Sequence, residues 1–145
     1  MVDIEREVEQ AATYWASAQE RASDDIGLTI LVFTARGERM VIGFPGMTDE
    51  LRPVLGKVVR HMVGERIDAY IAVMTGWTST RLDVRPADDP EHGEVLIVQG
   101  ATRGGGKAHR AYAMARFGDE IRLRLMDWTQ MEALTFAQIL EEELE

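Results

Sequence analysis

Apolar positions recur along this chain with two distinct periods. Between residues 3 and 22, Ile4, Val8, Ala11, Ala12, Trp15, Ala18 and Ala22 fall mostly three and four apart, with Glu5, Arg6, Glu9 and Gln10 between them. That spacing predicts an amphipathic helix with Asp3 as its N-cap. Residues 48–63 carry a sharper stripe of Leu51, Val54, Leu55, Val58, Val59, Met62 and Val63. The stripe predicts a second helix. Thr48 would cap it, Asp49 and Glu50 suit its positive start, and Gly64 suits the position just past its end. Pro53 would fall in the first turn or two, where its missing donor costs least. A third helix is predicted over 129–144, burying Leu134, Phe136, Ala137, Ile139, Leu140 and Leu144 before an acidic end, Glu141-Glu-Glu-Leu-Glu145.

The remaining apolar runs are short and rich in β-branched residues. Residues 28–34 and 39–44 read as strands joined by a turn at 35–38, in which Gly37 is free to take positive φ. Pro45-Gly46 ends the pair. Residues 68–77 read as a largely buried strand, and 94–101 as another. Residues 107–117 are rich in alanine, yet a short glycine-rich loop after a strand returns the chain antiparallel, so they too read as a strand. After a tight turn at Gly118-Asp119, residues 120–126 alternate, with Ile121, Leu123 and Leu125 on one side and Arg122 and Arg124 on the other. Residues 78–93 hold two prolines and several carboxylates and read as a long exposed loop. Most connections are too short for parallel crossovers. The expected fold is therefore α+β in one domain, 1–145: a mainly antiparallel sheet of about six strands with three helices, in the order α-β-β-α-β-β-β-β-α, the helices packed on one face.

Composition narrows the chemistry. The 145 residues are 46% hydrophobic and 28% charged, as in globular domains. There is no cysteine, which removes disulfides, thiolate nucleophiles and Cys-ligated metal centres and is compatible with a reducing cytoplasm. The formal charge of −9 opposes general binding to nucleic acid and to acidic membranes. No apolar run reaches the roughly 20 residues of a membrane helix, and the acidic first residues hold no signal-peptide h-region. A cytoplasmic location without membrane contact is expected. Among the 16 basic residues only Lys57 and Lys107 are lysines, a skew that hints at a GC-rich bacterial or viral genome.

The most suggestive motif is "GATRGGGKAHR", residues 100–110. A phosphate-binding P-loop needs G-x-x-x-x-G-K-[ST], but Ala101 stands at the first glycine and Ala108 at the hydroxyl. A dinucleotide fingerprint fails at His109. A hairpin connection fits better, with anion binding by its amides, Arg103 and Lys107 as the functional alternative. In the acidic loop, Asp83, Asp88, Asp89, Glu91 and His92 lack the spacing of a calcium loop. His61, His92 and His109 form no helical metal pair, and Thr78-Ser79-Thr80 is no nucleophile elbow. Arg110, Arg116, Arg122 and Arg124 could form a basic stripe on one sheet face if the last two strands pair. The acidic net charge argues against nucleic acid as its target. No metal and no cofactor is implied.

One region carries a resemblance. Tyr70-Ile-Ala-Val-Met-Thr-Gly-Trp77, followed by Arg85-Pro-Ala-Asp-Asp-Pro-Glu-His-Gly-Glu-Val-Leu-Ile-Val98, resembles a group of small bacterial and phage proteins. In these, a strand ending in tryptophan precedes an "RPSEDPDREEVL"-like loop and strand. This chain has Ala87 where serine is usual and His92-Gly93 where Arg-Glu would fall. The resemblance covers about thirty residues, implies a bacterial or phage origin and one compact domain, and carries over no catalytic residue.

Two functional expectations follow. The first is a small accessory protein that acts through protein contacts, a phage inhibitor of host defence being one case, with eight methionines available to an adaptable surface. Its partner would be another protein or a second copy, paired through an exposed sheet edge or through the first helix around Trp15. The second is a binding or hydrolytic domain for an anionic small molecule such as a nucleotide, held where Arg81, Arg85, Arg103 and Lys107 approach the sheet edge.

Overall fold

Strands that are apolar on both faces need cover on both, and this requirement sets the architecture. The computed structural model describes residues 2–22, 27–46, 48–78, 83, 93–126 and 139–140. Helix α1 (Ile4–Arg21) is followed by β1 (Leu28–Thr34), β2 (Arg39–Phe44), helix α2 (Leu55–Val63), β3 (Ile67–Thr78), β4 (Gly93–Thr102), β5 (Lys107–Phe117) and β6 (Glu120–Leu125). The six strands form one antiparallel sheet in the order β2-β1-β3-β4-β5-β6. The expected α+β class and strand count hold, and residues 107–117 are a strand. Two helices are described where three were expected. The one expected over 129–144 lies outside the described residues, apart from Ile139 and Leu140, which belong to the core beside α2.

The helices do not share a face. Ile4, Val8, Ala11, Ala12 and Ala16 of α1 pack on Ala69, Ile71, Val73, Leu96, Val98, Met114 and Ile121. Leu55 and Val59 of α2 pack on the opposite side, against Leu28, Ile30, Val32, Ile42, Tyr70, Ala72 and Met74. The one-face expectation is corrected for a reason visible in β3, where every residue from Ala69 to Met74 is buried. A strand with an apolar residue at each successive position presents hydrocarbon to both sides, so one helical layer leaves half of it in water.

The second helix starts later than its stripe suggests. The amides of Leu51 and Arg52 donate to the hydroxyl and carbonyl of Thr48, both at 3.0 Å, so Thr48 caps a turn. Pro53 brings no N–H and disfavours helical geometry at Arg52, and the continuous helix begins only at Leu55. Of the stripe, Leu55 and Val59 are buried, Leu51 and Val63 pack against the same core, and Val54 and Met62 remain exposed. Gly64 ends the helix at φ 73°, left-handed as a C-terminal glycine should be.

The position of α1 is set by a glycine. A Cβ placed on Gly100 would stand 2.8 Å from Ile4 Cδ1, 2.9 Å from Val8 Cγ2 and 3.0 Å from the Tyr70 carbonyl oxygen. The helix thus rests on bare backbone at β4. Gly100→Ala is expected to cost about 1–3 kcal/mol in urea unfolding, because overpacking must move the helix or the β3 backbone. Gly46→Ala, where an added Cβ meets nothing within 4 Å, serves as the comparison and stays within about 0.5 kcal/mol of the parent.

Candidate functional site

Antiparallel alternation brings the 35–38 turn, the start of β3 and the 103–106 turn to the same end of the sheet. The N-terminus of α1 joins them, because Ile4 sits over Gly100 and its Cγ2 lies 3.4 Å from the Cβ position of Gly106. Backbone bonds lock the turns together. Ala35 N–H donates to the Arg66 carbonyl at 2.9 Å, and Arg103 N–H donates to the Asp68 carbonyl at 2.8 Å. Between these segments lies a broad open cleft of about 1080 Å³, at the upper end for a small-molecule site.

Its charged lining comes from four separate elements. Arg6, Arg39, Arg66 and Arg103 are interleaved with Asp3, Glu7, Glu38 and Asp68, so the two signs balance. Most of this charge is already matched. Arg39 reaches Glu7 at 3.0 Å and lies over the Phe33 ring, 5.0 Å from its centroid. Arg66 Nε lies 3.5 Å from Asp68 Oδ1. Asp3 accepts from the Arg6 amide at 3.3 Å, capping α1 as its position predicts. Such exposed pairs stabilise little, about 0–1 kcal/mol each, and mainly hold the side chains in place.

Arg103 is the best anchored of the four. Its Nε and NH2 both donate to the Ile67 carbonyl, at 3.2 and 2.8 Å, from a half-buried position. The glycine-rich loop around it is a self-bonded hairpin. Gly105 N–H donates to the Thr102 carbonyl at 3.0 Å, Gly106 N–H to the Thr102 hydroxyl at 2.9 Å, and Thr102 N–H to the Gly106 carbonyl at 2.9 Å. Gly105 takes φ 97°, which a side-chain-bearing residue would strain to reach. The amides of Arg103, Gly105 and Gly106 are thus spent within the fold.

Of the other sequence-derived candidates, none among the described residues lines the cleft. Lys107 is exposed at the start of β5, opposite Ala101, outside the cleft lining. Arg81 and Arg85 lie outside the described residues. The strand ends that flank their segment, Thr78 and Gly93, stand at the far end of β3 and β4 from Arg103, roughly 35 Å away at strand rise. Of the acidic-loop set only Asp83 is described, and it is exposed; Asp88, Asp89, Glu91 and His92 lie outside. His61 is exposed on α2, and His109 lies opposite Gln99 on β5. Among the described residues no group of three His, Cys, Asp or Glu side chains is placed to hold a metal ion.

The arginine stripe of the last two strands is also corrected. β5 and β6 do pair, but the register sets Arg116 opposite Ile121, Ala115 opposite Arg122 and Ala113 opposite Arg124. Opposed residues share a face. Arg110 and Arg116 therefore lie on the α1 side with Met114 and Ile121, and Arg122 and Arg124 on the other side. Arg116 is matched by Glu94 at 2.7 Å and Arg122 by Glu120 at 3.3 Å, both carboxylates on strands. Sequence reasoning missed Arg6, Arg39 and Arg66 as neighbours of Arg103. They share no motif, and only the alternation of strand direction gathers them.

No family model, no curated protein and no solved structure matches this chain.

Two outcomes are expected. Arg103→Ala and Arg103→Lys should each lower stability in urea unfolding by about 1–3 kcal/mol, since both lose the paired donation to Ile67. Lys107→Ala should stay within about 0.5 kcal/mol. Away from the cleft, burial pushes the Tyr112 hydroxyl above its ordinary value, partly offset by the Arg110 charge. The folded chain holds that proton more tightly than the unfolded one. Its contribution is full below about pH 10 and is lost as pH rises through the folded-state value. The urea midpoint of the parent should thus fall more steeply above pH 10 than that of Tyr112→Phe.

Proposed function

We propose that this chain is a small accessory module that works through protein contacts, with the mixed-charge cleft at the turn end of the sheet as its docking surface. The observation that carries this reading is the prior engagement of the cleft's donors. Arg39, Arg66 and Arg103 each contact a protein acceptor, and the amides of Arg103, Gly105 and Gly106 donate within the fold. A nucleotide phosphate entering here would have to displace those partners while meeting four carboxylates. A polypeptide carrying both signs meets the same surface without that cost, and arginine is enriched at protein interfaces. The formal charge of −9 further favours a basic partner over an acidic one. Inhibition of a nucleic-acid-binding host protein, in a phage, is the special case of this reading.

Affinity purification from the cell that makes the chain tests it. A stoichiometric protein partner should be recovered and should be released by Arg6→Glu combined with Arg66→Glu, two exposed sites whose change leaves the fold intact. Retention of the partner by that variant would remove the cleft from the interface. In parallel, a thermal-shift series with nucleotides, inorganic phosphate and Mg²⁺ should move the melting temperature by less than about 1 °C. A rise of several degrees with one nucleotide, abolished by Arg6→Ala, would replace the protein-contact reading with the anionic-ligand one.

A further inference from the structure

A sheet with two ends to its strand order has two edges, and this chain treats them differently. At the β6 edge the register with β5 continues to the bond from Met126 N–H to the Ala111 carbonyl at 2.9 Å. The outward-facing amides there belong to Ile121, Leu123 and Leu125. Two β6 strands pairing antiparallel about Leu123 would set Arg122 against Arg124 on each side of the axis. Like charges directly opposed destabilise a sheet, so this edge is guarded.

Among the described residues the β2 edge carries no such guard. Thr34 N–H donates to the Glu38 carbonyl at 2.9 Å, and the register Val32↔Met40, Ile30↔Ile42 and Leu28↔Phe44 continues that alternation. Met40, Ile42 and Phe44 therefore turn their backbone groups toward β1, and Arg39, Val41 and Gly43 turn theirs away from the sheet. From Met40 to Phe44 the strand holds no charge. Val41 is 65% exposed, and a Cβ on Gly43 would meet nothing within 4 Å.

We infer that β2 is the interface for a second copy of this chain, paired antiparallel about a two-fold axis through Val41. That axis is the one that lets the outward amides of Arg39, Val41 and Gly43 all find partners. Residue by residue it is self-complementary. Val41 meets its own copy, Met40 meets Ile42 on the α2 side, and the long Arg39 faces the bare backbone of Gly43 on the α1 side. The apolar row of Met40 and Ile42, already part of or packed against the α2-side core, continues across the axis. The contact is isologous, so it closes as a dimer and consumes both unguarded edges. This inference does not rest on the cleft, whose lining takes from β2 its first residue, Arg39, and none of Met40 to Phe44.

Equilibrium sedimentation at about 50 μM should give twice the chain mass. Val41→Arg, at an exposed site, should give the monomer mass with an unchanged circular dichroism spectrum, and Leu125→Arg at the other edge should remain a dimer. The chain has no cysteine, so Val41→Cys reports the register directly. Opposed strand residues are about 5.5 Å apart at Cα, within disulfide range. Under mild oxidation Val41→Cys should form a covalent dimer on a non-reducing gel, and Leu125→Cys should stay a monomer. A monomeric parent at this concentration, a Val41→Arg variant that still dimerises, or cross-linking at residue 125 in place of 41 would each overturn the proposal.

Discussion

The contact of Ile4 and Val8 with the bare backbone of Gly100 is the constraint from which much of this structure follows. It fixes how closely α1 approaches the sheet and where along β4 the helix begins. With that point set, the first turn of α1 stands over the 103–106 hairpin, and Asp3, Arg6 and Glu7 come level with Arg39, Arg66 and Arg103. The cleft is the gap left at that end. The glycine-rich motif thereby acquires a structural purpose: Gly100 admits the helix, Gly105 supplies a left-handed turn residue, and Gly106 lies under Ile4.

Two-sided burial is the second organising fact. α1 lies across β3 to β6, and the α2 side is centred on β1 to β4. The layers are offset, and α1 meets β2 at its first residue, Arg39, through Glu7. This offset leaves Val41 exposed on the α1 side of an edge strand whose other side is core. An edge of that kind invites a partner strand, whereas the arginines of β6 discourage one. Among the described residues several charges form matched local pairs, Arg39 with Glu7, Arg66 with Asp68 and Arg116 with Glu94. Under the protein-contact reading proposed above, such matched pairs would supply selectivity more than affinity.

Much of the local structure was legible in the sequence. The cap at Asp3, the turn at Gly37, the stop at Gly64 and the alternation of β6 each depend on a few adjacent residues, and the structure holds all of them. The strand identity of 107–117 overrode its alanine content because Gly104-Gly-Gly106 makes a tight return, and pairing with β4 outweighs a weak helical preference. Two readings failed on local grounds that could have been weighed. Pro53 delays α2 by most of two turns, and the unbroken apolar run in β3 is itself a signal of burial on both faces.

The sequence by itself determined the class of the fold, the strands and their turns, and the failure of "GATRGGGKAHR" to meet any phosphate-binding template. Those are properties of periodicity and spacing within about ten residues. Tertiary structure alone decided that the arginines of β5 and β6 divide between the two sides, and that Arg6, Arg39, Arg66 and Arg103 line one cleft. Each of those depends on the register between strands. A shift of one residue moves a side chain to the other face of a sheet, and no local pattern in a single strand encodes its alignment with the next.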